Sequence, residues 1–535
     1  MRLRIPSSFL AKIAAAGLLV LLADRLFWAG NGFGSNLGMF ALAWTGATLA
    51  LTPTIWRDRR SWIAAGGALL LAAPLLDAPG LLAWALFWAC LTMAVLLPRF
   101  DHFGHVGRWA LQLVVHAVAS IGGPWIDLFR LRRPLGRHLP KQRILPLLPL
   151  PLLGGAVFLT LFANANPVIG DALANIGLPR LDATTVVRSI LWLVVGTAVW
   201  ATLRPRRIRL PEIVPSPGSA PLTLPGISIG SVTLALFTFN TLFALQNALD
   251  IAFLWSGAPL PAGVTLADYA HRGAYPLIAT ALLAGLFVLV ALRPGSDTAA
   301  VPVIRRLVVL WIAQNVFLVA SSILRTLDYI DAYSLTGLRI AALVWMALVA
   351  LGLVLIVWRM LRDKSAAWLV NANAAAALLV LAPCTVIDLG SVSAAWNVRH
   401  AREVGGKGAA LDLCYLGELG PSALTSLVAL ELRHDLEPGF AERLAWVRHE
   451  VLTETIERQR DGRRTWRNAR RLSEIRAMLA GRKLPQAPAP GPAGRTCDGI
   501  LREPPVTSEA SAAEPTPSVA EQVMPQPALT NEAAR

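Results

Sequence analysis

Charged side chains are scarce in this sequence. They make up 15% of 535 residues, whereas a soluble domain usually carries about a quarter. Hydrophobic residues make up 55%, and the mean hydropathy is +0.54. This composition excludes an ordinary soluble protein and predicts an integral membrane protein. Tyrosine is also rare, with 5 residues against 18 tryptophans, and indole rings are favoured at the membrane–water interface.

Motifs of reactive chemistry are missing as well. We find no P-loop, no GxSxG or HExxH sequence, and no CxxC pair. The four cysteines, Cys90, Cys384, Cys414 and Cys497, lack the spacing of a zinc site. We therefore expect no catalytic residue, no bound metal and no cofactor. Cys414 can form a disulfide with Cys384 or with Cys497 in an oxidising compartment, and the sequence does not choose between them.

Long apolar runs predict an all-α fold, a polytopic transmembrane helix bundle of about eleven spans. The first run follows a basic start, as in a signal peptide, but Asp24 and Arg25 replace a cleavage site, so we expect a retained helix. The predicted spans are 9–28, 37–56, 62–77, 80–97, 144–163, 187–203, 228–250, 274–292, 307–325, 339–358 and 366–385.

The basic loops alternate along this topology. Most arginines fall in every second loop, including the loops around Arg57, Arg204, Arg305 and Arg359. The positive-inside rule then places the N-terminus in the cytoplasm and the region after the last span in the periplasm. The same rule accounts for the net charge of +16, so we expect no nucleic-acid partner.

The domain boundaries follow from composition. We predict a four-span membrane region, a cytoplasmic amphipathic basic segment, a seven-span membrane core, an exterior helical domain and a disordered tail. Their ranges are 1–97, 98–143, 144–385, 386–483 and 484–535.

Two of these segments carry further expectations. A helix over about 107–131 should lie on the inner leaflet with Trp109 and Trp125 at the interface, and residues 130–143 should contact anionic lipids. The exterior domain should contain four or five short helices, and the arginines of 464–479 should form a solvated face.

The polar residues of the later spans form the candidate site. The topology brings them to the outer side of the membrane, where opposite charges can pair and lower the cost of burial. The cluster is either a structural joint or a ligand or ion site. Its members are Gln246, Asp250, Asp268, His271, Arg272, Gln314, Asn315, Arg325, Asp328 and Arg339.

Several phrases resemble a known family. They are NTLFALQNALDIAFLW, Tyr269 to Ala274, Gln314 with Asn315, Arg325 with Tyr329, Ala395 to Val398, and Leu411 to Leu416. Together they resemble the DUF4173 family, related to DUF4153, of multispanning bacterial inner-membrane proteins of unknown function. The resemblance covers roughly 140–440 and leaves the first four spans outside. It implies a bacterial inner-membrane protein with a helical exterior appendage, and it implies no catalytic residue.

Three functions are compatible with these features. The first is a membrane scaffold, sensor or accessory subunit that binds a protein partner through the exterior domain. The second is a transporter for a small solute or ion, which the polar residues within the spans favour. The third is a membrane enzyme acting on lipid-linked substrates, with His271 beside Asp268 as a base.

Overall fold

The protein is helical throughout the residues that its structure, a computed structural model, describes. These residues are 7–28, 32–100, 104–131, 182–206, 228–256, 301–433 and 435–503, with isolated positions between 154 and 166 and between 279 and 287. One isolated antiparallel bridge, between Arg495 and Leu501, is the β-type pairing found within these ranges. The predicted all-α class is thus confirmed for this part of the chain.

Six helical segments are long and apolar enough to cross a membrane, and the chain is a multi-pass membrane protein. These six segments are Leu81–Arg99, Ala183–Leu203, Ile229–Trp255, Pro302–Tyr333, Gly337–Leu361 and Ala366–Cys384. Two further predicted spans, 144–163 and 274–292, lie almost entirely outside the described residues. The other predicted spans coincide with the shorter or less apolar helices at the N-terminus.

One group of helices combines four N-terminal helices with a helix that follows much later in the sequence. It contains α1 (Ser7–Ala23), α2 (Asn36–Leu51), α3 (Arg59–Asp77), α4 (Leu81–Leu96) and α7 (Ala183–Leu203). Its core holds fully buried aromatic side chains such as Phe40, Trp44 and Phe87. The Trp44 indole donates to Thr202 Oγ1 at 2.8 Å, which satisfies both polar groups inside the bundle.

Helices α1 and α7 run antiparallel. Near the start of α1, the Lys12 ammonium donates to the Leu203 carbonyl at the end of α7 (2.7 Å). At the other end, Arg188 near the start of α7 pairs with Asp24, which follows α1. The two contacts fix the direction of α7 relative to the N-terminal helix.

Two amphipathic helices, α5 (Val106–Ile121) and α6 (Gly123–Leu131), occupy the region where the sequence predicts one. Helix α5 turns Trp109, Gln112 and His116 inward against its neighbours and leaves Val114 and Val118 exposed. An exposed apolar face is what a helix at the edge of a membrane should show. Trp109 differs from the prediction, because it is buried against the Phe100 ring at 5.5 Å.

A second group contains α8 (Ile229–Asp250), α9 (Pro302–Tyr333), α10 (Gly337–Leu361) and α11 (Ala366–Cys384). Pro302 occupies the first turn of α9, where its missing N–H leaves no helical hydrogen bond unmade. The core of this group centres on Trp311, whose ring stacks on Phe239 at 5.2 Å.

The C-terminal domain forms a third unit with its own apolar core. Its helices are α12 (Leu389–His400), α13 (Leu413–Glu418), α14 (Leu424–Glu431), α15 (Pro438–Arg460) and α16 (Trp466–Leu479). Leu416, Leu424, Leu427 and Leu444 are fully buried at its centre. The described helices match the predicted number, although α15 is long, with 23 residues.

Helix α16 attaches this domain to the membrane helices. The predicted solvated arginine face holds for Arg464, Arg470 and Arg476 but not for Arg467 and Arg471. Arg467 Nε lies 2.8 Å from Asp77 Oδ2 at the end of α3, and Arg470 pairs with the same carboxylate. Arg471, which is 9% exposed, pairs with Asp388. These arginines meet acids that are distant in sequence, so helical periodicity alone does not reveal their burial.

Residues 484–503, which we predicted to be part of a disordered tail, belong to the described structure. The described chain continues to Glu503, and Cys497 forms a disulfide with Cys414 across a sequence separation of 83 residues. Arg495 Nη2 also lies 2.7 Å from Glu442 Oε1 on α15. The sequence left the disulfide partner of Cys414 open, and the structure identifies it as Cys497. Both Cys90 and Cys384 are free. A low-apolar segment can be ordered here because a covalent bond replaces a hydrophobic core.

Candidate functional site

The candidate site begins with the polar face of α8. A capping box starts this helix, since the Ser228 hydroxyl accepts from the Ser231 amide and the Ser231 hydroxyl accepts from the Ser228 amide. Asn240 and Asn247 lie seven residues apart and therefore on one face of the helix. Asp250, three residues further, extends this face to the end of the helix, and all three side chains are buried.

This face packs against α9 over much of its length. Asn240 Nδ2 donates to the Leu307 carbonyl at 3.1 Å, and Asn247 Nδ2 donates to the Gln314 carbonyl at 3.3 Å, both across 67 residues of sequence. Beyond the helix end, the Trp255 indole donates to Ser321 Oγ across 66 residues at 3.1 Å. A constant separation means that the two helices run parallel.

An ion pair lies at the end of the contact between α8 and α9. Arg325 Nη2 on α9 pairs with Asp250 Oδ1, and the two side chains are 7% and 1% exposed. Gln246 Nε2 donates to the same carboxylate oxygen at 3.0 Å. The pairing of Asp250 with Arg325 expected from the sequence is present. Its burial makes each partner necessary to the other, because an isolated charge in a low-dielectric interior is costly.

Several oxygens at this contact have no hydrogen-bond partner among the described residues. They are Oδ1 of Asn247, Oδ2 of Asp250, Oε1 of Gln314 and Oδ1 of Asn315. The amide nitrogens of Asn247, Gln314 and Asn315 all donate, to the Gln314 carbonyl, Asn240 Oδ1 and the Trp311 carbonyl respectively. The contact therefore has an excess of acceptors, which suits water or a cation. We call residues 240, 246, 247, 250, 314, 315, 321 and 325 the polar interface.

The remaining predicted site residues are not brought into this pair. Asp268, His271 and Arg272 lie outside the described residues. Asp328 is exposed on α9, one turn beyond Arg325. Arg339 stabilises the corner between α9 and α10 instead, because its Nη1 donates to the Tyr333 carbonyl at 2.6 Å and its guanidinium lies 4.2 Å from the Tyr329 ring centroid.

A second acid–base contact was missed by sequence reasoning. Arg188 makes a bidentate contact with Asp24, with Nε–Oδ1 and Nη2–Oδ2 distances of 2.7 and 2.6 Å. The Trp192 indole donates to the same carboxylate at 2.8 Å. A usable signal was present in the sequence, since an aspartate near the end of an apolar run is followed by a tryptophan in both places. Asp24 opens the π-helical turn that ends at Trp28, and Asp250 directly precedes the π-helical turn that ends at Trp255.

A cavity of about 210 Å³ lies where α9 meets the C-terminal domain. Asp331, Lys407 and His400 line it together with Trp396, whose ring stacks on His400 at 4.0 Å. Trp396 is 40% exposed. The arrangement combines an aromatic surface with groups of both charges, which is a composition suited to binding a peptide segment.

Hydrogen bonds hold the domain beside this cavity. The Asn397 side chain accepts from the Leu335 amide at 2.7 Å and donates to the Leu335 carbonyl at 2.9 Å. The Tyr415 hydroxyl accepts from the Gly337 amide at 3.1 Å. These contacts satisfy backbone groups at the corner between α9 and α10. The C-terminal domain is therefore hydrogen-bonded to the membrane helices at this corner.

Within the described residues, no group of three or more His, Cys, Asp or Glu side chains could hold a metal ion. No curated protein and no solved structure matches the chain. A family model does match, the domain of unknown function DUF4153, over residues 63–430. The match begins within the predicted four-span N-terminal region, which the resemblance noted from the sequence had left outside. It covers more than half of the sequence, and the chain therefore belongs to the DUF4153 family.

Proposed function

We propose that the protein is a scaffold or accessory subunit of the bacterial inner membrane that presents its C-terminal helical domain to a protein partner on the periplasmic side. The observation that carries this proposal is the attachment of the domain. Its contacts reach four separate chain segments at one end of the membrane helices: Ser35, Asp77, Leu335 and Val386. A domain held in this way has a fixed position and orientation, as a binding platform requires.

The charges support the periplasmic side. The end opposite the domain carries Arg57, Arg204, Arg305 and Arg359, and the positive-inside rule assigns such an end to the cytoplasm. The Cys414–Cys497 disulfide agrees with this assignment, because disulfides persist in the periplasm and are rare in the cytosol.

Helix directions support about eleven spans. Helix α6 lies at the C-terminal end of α7, where the Trp200 indole donates to Asp127 at 3.0 Å, yet α7 begins at the opposite end. This arrangement supports the proposed span 144–163, which lies almost entirely outside the described residues. Helices α8 and α9 run parallel, which supports the proposed span 274–292 in the same way.

Trp396 and the cavity beside it are the proposed contact surface for the partner. Aromatic residues that are partly exposed beside a pocket contribute strongly to protein interfaces. Asp331 and Lys407 can pair with charges of either sign on a peptide. The position of the cavity between α9 and the domain places the partner directly above the membrane helices.

Site-specific crosslinking in intact cells tests this function. A photoreactive amino acid at position 396 should crosslink one defined protein, whereas the same amino acid at Arg460, exposed at the end of α15, should not. An alkaline phosphatase fusion at Arg482 should be active, and a cytoplasmic reporter there should be inactive. Crosslinking of the same products from both positions, or an active cytoplasmic reporter, contradicts the proposal.

A transporter is the second candidate, and the polar interface favours it. A row of acceptor oxygens and one carboxylate between two spanning helices is an arrangement that can pass protons, water or a cation. Uptake of a cation into vesicles containing the purified protein is the appropriate measurement. Asp250→Asn should abolish such uptake, whereas Asp328→Asn, an exposed residue of the same region, should leave it unchanged. Equal uptake by both variants removes Asp250 from any role in transport.

A further inference from the structure

A cluster of cations lies at the end of the membrane helices opposite the C-terminal domain. Lys12 belongs to the second turn of α1, Arg99 follows α4, and Arg204 follows α7. The Lys12 ammonium donates at 2.7 Å to the carbonyl of Leu203, the residue before Arg204, and the charges of Arg99 and Arg204 are near enough to act on it. All three side chains are half-buried, so their mutual repulsion is less screened than it would be in water.

The acids nearby do not balance this cluster. Asp127 on α6 contacts Arg204 at 3.4 Å and Arg206 at 3.0 Å, and it also accepts from the Trp200 indole. One carboxylate is thus shared by two arginines. Among the described residues, no carboxylate forms an ion pair with Lys12 or Arg99, so the cluster retains an excess of positive charge.

Arg99 provides the strongest indication that the cluster binds an anion. Its Nε is buried and has no hydrogen-bond partner in the described part of the chain. A buried donor on a charged group costs free energy unless an acceptor reaches it. Lys12 uses one hydrogen on the Leu203 carbonyl at 2.7 Å and has further donors to offer. The site therefore lacks an anion with several acceptor oxygens.

The surroundings identify the source of that anion. Leu10 and Ile13 flank Lys12 on α1 and are 51% and 43% exposed. Val114 and Val118 on α5, which packs against α7, are also exposed, at 60% and 64%. A phosphate bound to the cations would thus have apolar side chains beside it, which is the geometry of a phospholipid with its headgroup at the interface.

We propose that Lys12, Arg99 and Arg204 bind the phosphate of an anionic phospholipid from the inner leaflet. The site differs from the basic run at 130–143, which the sequence alone suggests for lipid contact. It rests on the proposed orientation of the membrane helices, but not on the partner of the C-terminal domain. A bound lipid would neutralise the cluster.

Native mass spectrometry of the full-length protein in mild detergent tests the site. With phosphatidylglycerol added, the wild type should retain at least one lipid molecule, and with phosphatidylcholine it should retain none. Lys12→Gln and Arg99→Gln should each reduce retention of phosphatidylglycerol about tenfold, as expected for loss of one charge-assisted hydrogen bond. Arg57→Gln, an exposed arginine at the same end, is the matched control and should retain the lipid.

Two results would overturn the proposal. One is equal retention in the wild type and both variants, and the other is an equal loss in Arg57→Gln, which would indicate a general charge effect. If Arg99→Gln does not fold, Arg99→Lys keeps the charge and should retain the lipid while Lys12→Gln loses it. Inorganic phosphate forms the second arm: thermal stabilisation by phosphate that Lys12→Gln removes, without selective lipid retention, overturns the lipid and identifies a free anion as the ligand.

Discussion

In each of the two groups of membrane helices an Asp–Arg pair joins two helices, and these two pairs differ in exposure. Asp24 and Arg188 join α1 to α7, with side chains 7% and 43% exposed. Asp250 and Arg325 join α8 to α9, with side chains 1% and 7% exposed. The two contacts are similar, since Asp24 is the first residue of a π-helical turn and Asp250 directly precedes one. Only the second pair has withdrawn both charges from the surface.

The difference separates a charge pair that stays partly accessible to its surroundings from a buried pair in which each charge depends on the other. Arg188 keeps access to its surroundings, and Trp192 and the bidentate contact satisfy Asp24 fully. Asp250 keeps one oxygen without a partner among the described residues, beside other acceptors in the same condition. A buried pair contributes little net stability while intact, but losing one partner leaves an uncompensated charge.

The largest expected effect is therefore from breaking the buried pair. Arg325→Gln should lower the free energy of unfolding by about 3–5 kcal/mol, because Asp250 is then buried without a cation. Thermal unfolding of the purified protein in mild detergent measures this change. Asp328→Asn, three residues along α9 and exposed, is the control and should alter stability little. A loss below about 1 kcal/mol for Arg325→Gln would show that the pair is solvated.

The second prediction concerns coupling. Asp250→Asn combined with Arg325→Gln removes both charges, so the double variant should be more stable than the sum of the single losses by about 1–3 kcal/mol. The same unfolding measurement on all four proteins gives the coupling free energy. Strict additivity of the two losses would mean that these residues are not partners, whatever their proximity.

The third prediction concerns the exposed pair. Asp24→Asn should cost about 1–2 kcal/mol, the usual value for losing hydrogen bonds to a charged group whose partner remains accessible. Asp24 retains an amide oxygen in this variant, so the Trp192 indole keeps its acceptor. If the loss equals that of Arg325→Gln, the contrast between the two pairs fails.

The smallest expected effect is that of salt concentration on the coupling free energy of the exposed pair. Raising the salt concentration from about 0.1 M to about 1 M shortens the Debye length from about 10 to about 3 Å. The coupling between Asp24 and Arg188 should weaken by some tenths of a kcal/mol, because Arg188 is half-exposed, while that between Asp250 and Arg325 should stay constant. Double-mutant cycles at both salt concentrations provide the measurement. A larger salt effect at the buried pair would reverse the comparison.

Much of the local structure was accessible from the sequence. Apolar runs located the helices around Leu81–Arg99 and Gly337–Leu361 to within a few residues, because a span must be long and continuous. The pairing of Asp250 with Arg325 followed from topology, which brings both residues to the same depth. Asp24 with Arg188 was missed, since Asp24 was interpreted only as evidence against a cleavage site and Arg188, within the predicted span 187–203, was given no partner.

Residues outside the membrane were harder to predict. The arginines of α16 have the spacing of a solvated face, yet Arg467 and Arg471 meet Asp77 and Asp388. Helix α5 was recognised as amphipathic, but its buried polar side, including His116, became clear only from the packing against α7. In both cases the deciding partner is remote in sequence, and periodicity contains no information about it.

The sequence by itself determined that this is a helical, multi-pass membrane protein with a C-terminal helical domain. The reason is that the length of an apolar run and the charge of a loop are local properties, which can be read directly from the sequence. Only the tertiary structure decided which charges are paired, that Cys414 binds Cys497, and that the domain attaches through α16. Those outcomes depend on which distant groups can satisfy one another once water is removed, and that is settled by packing.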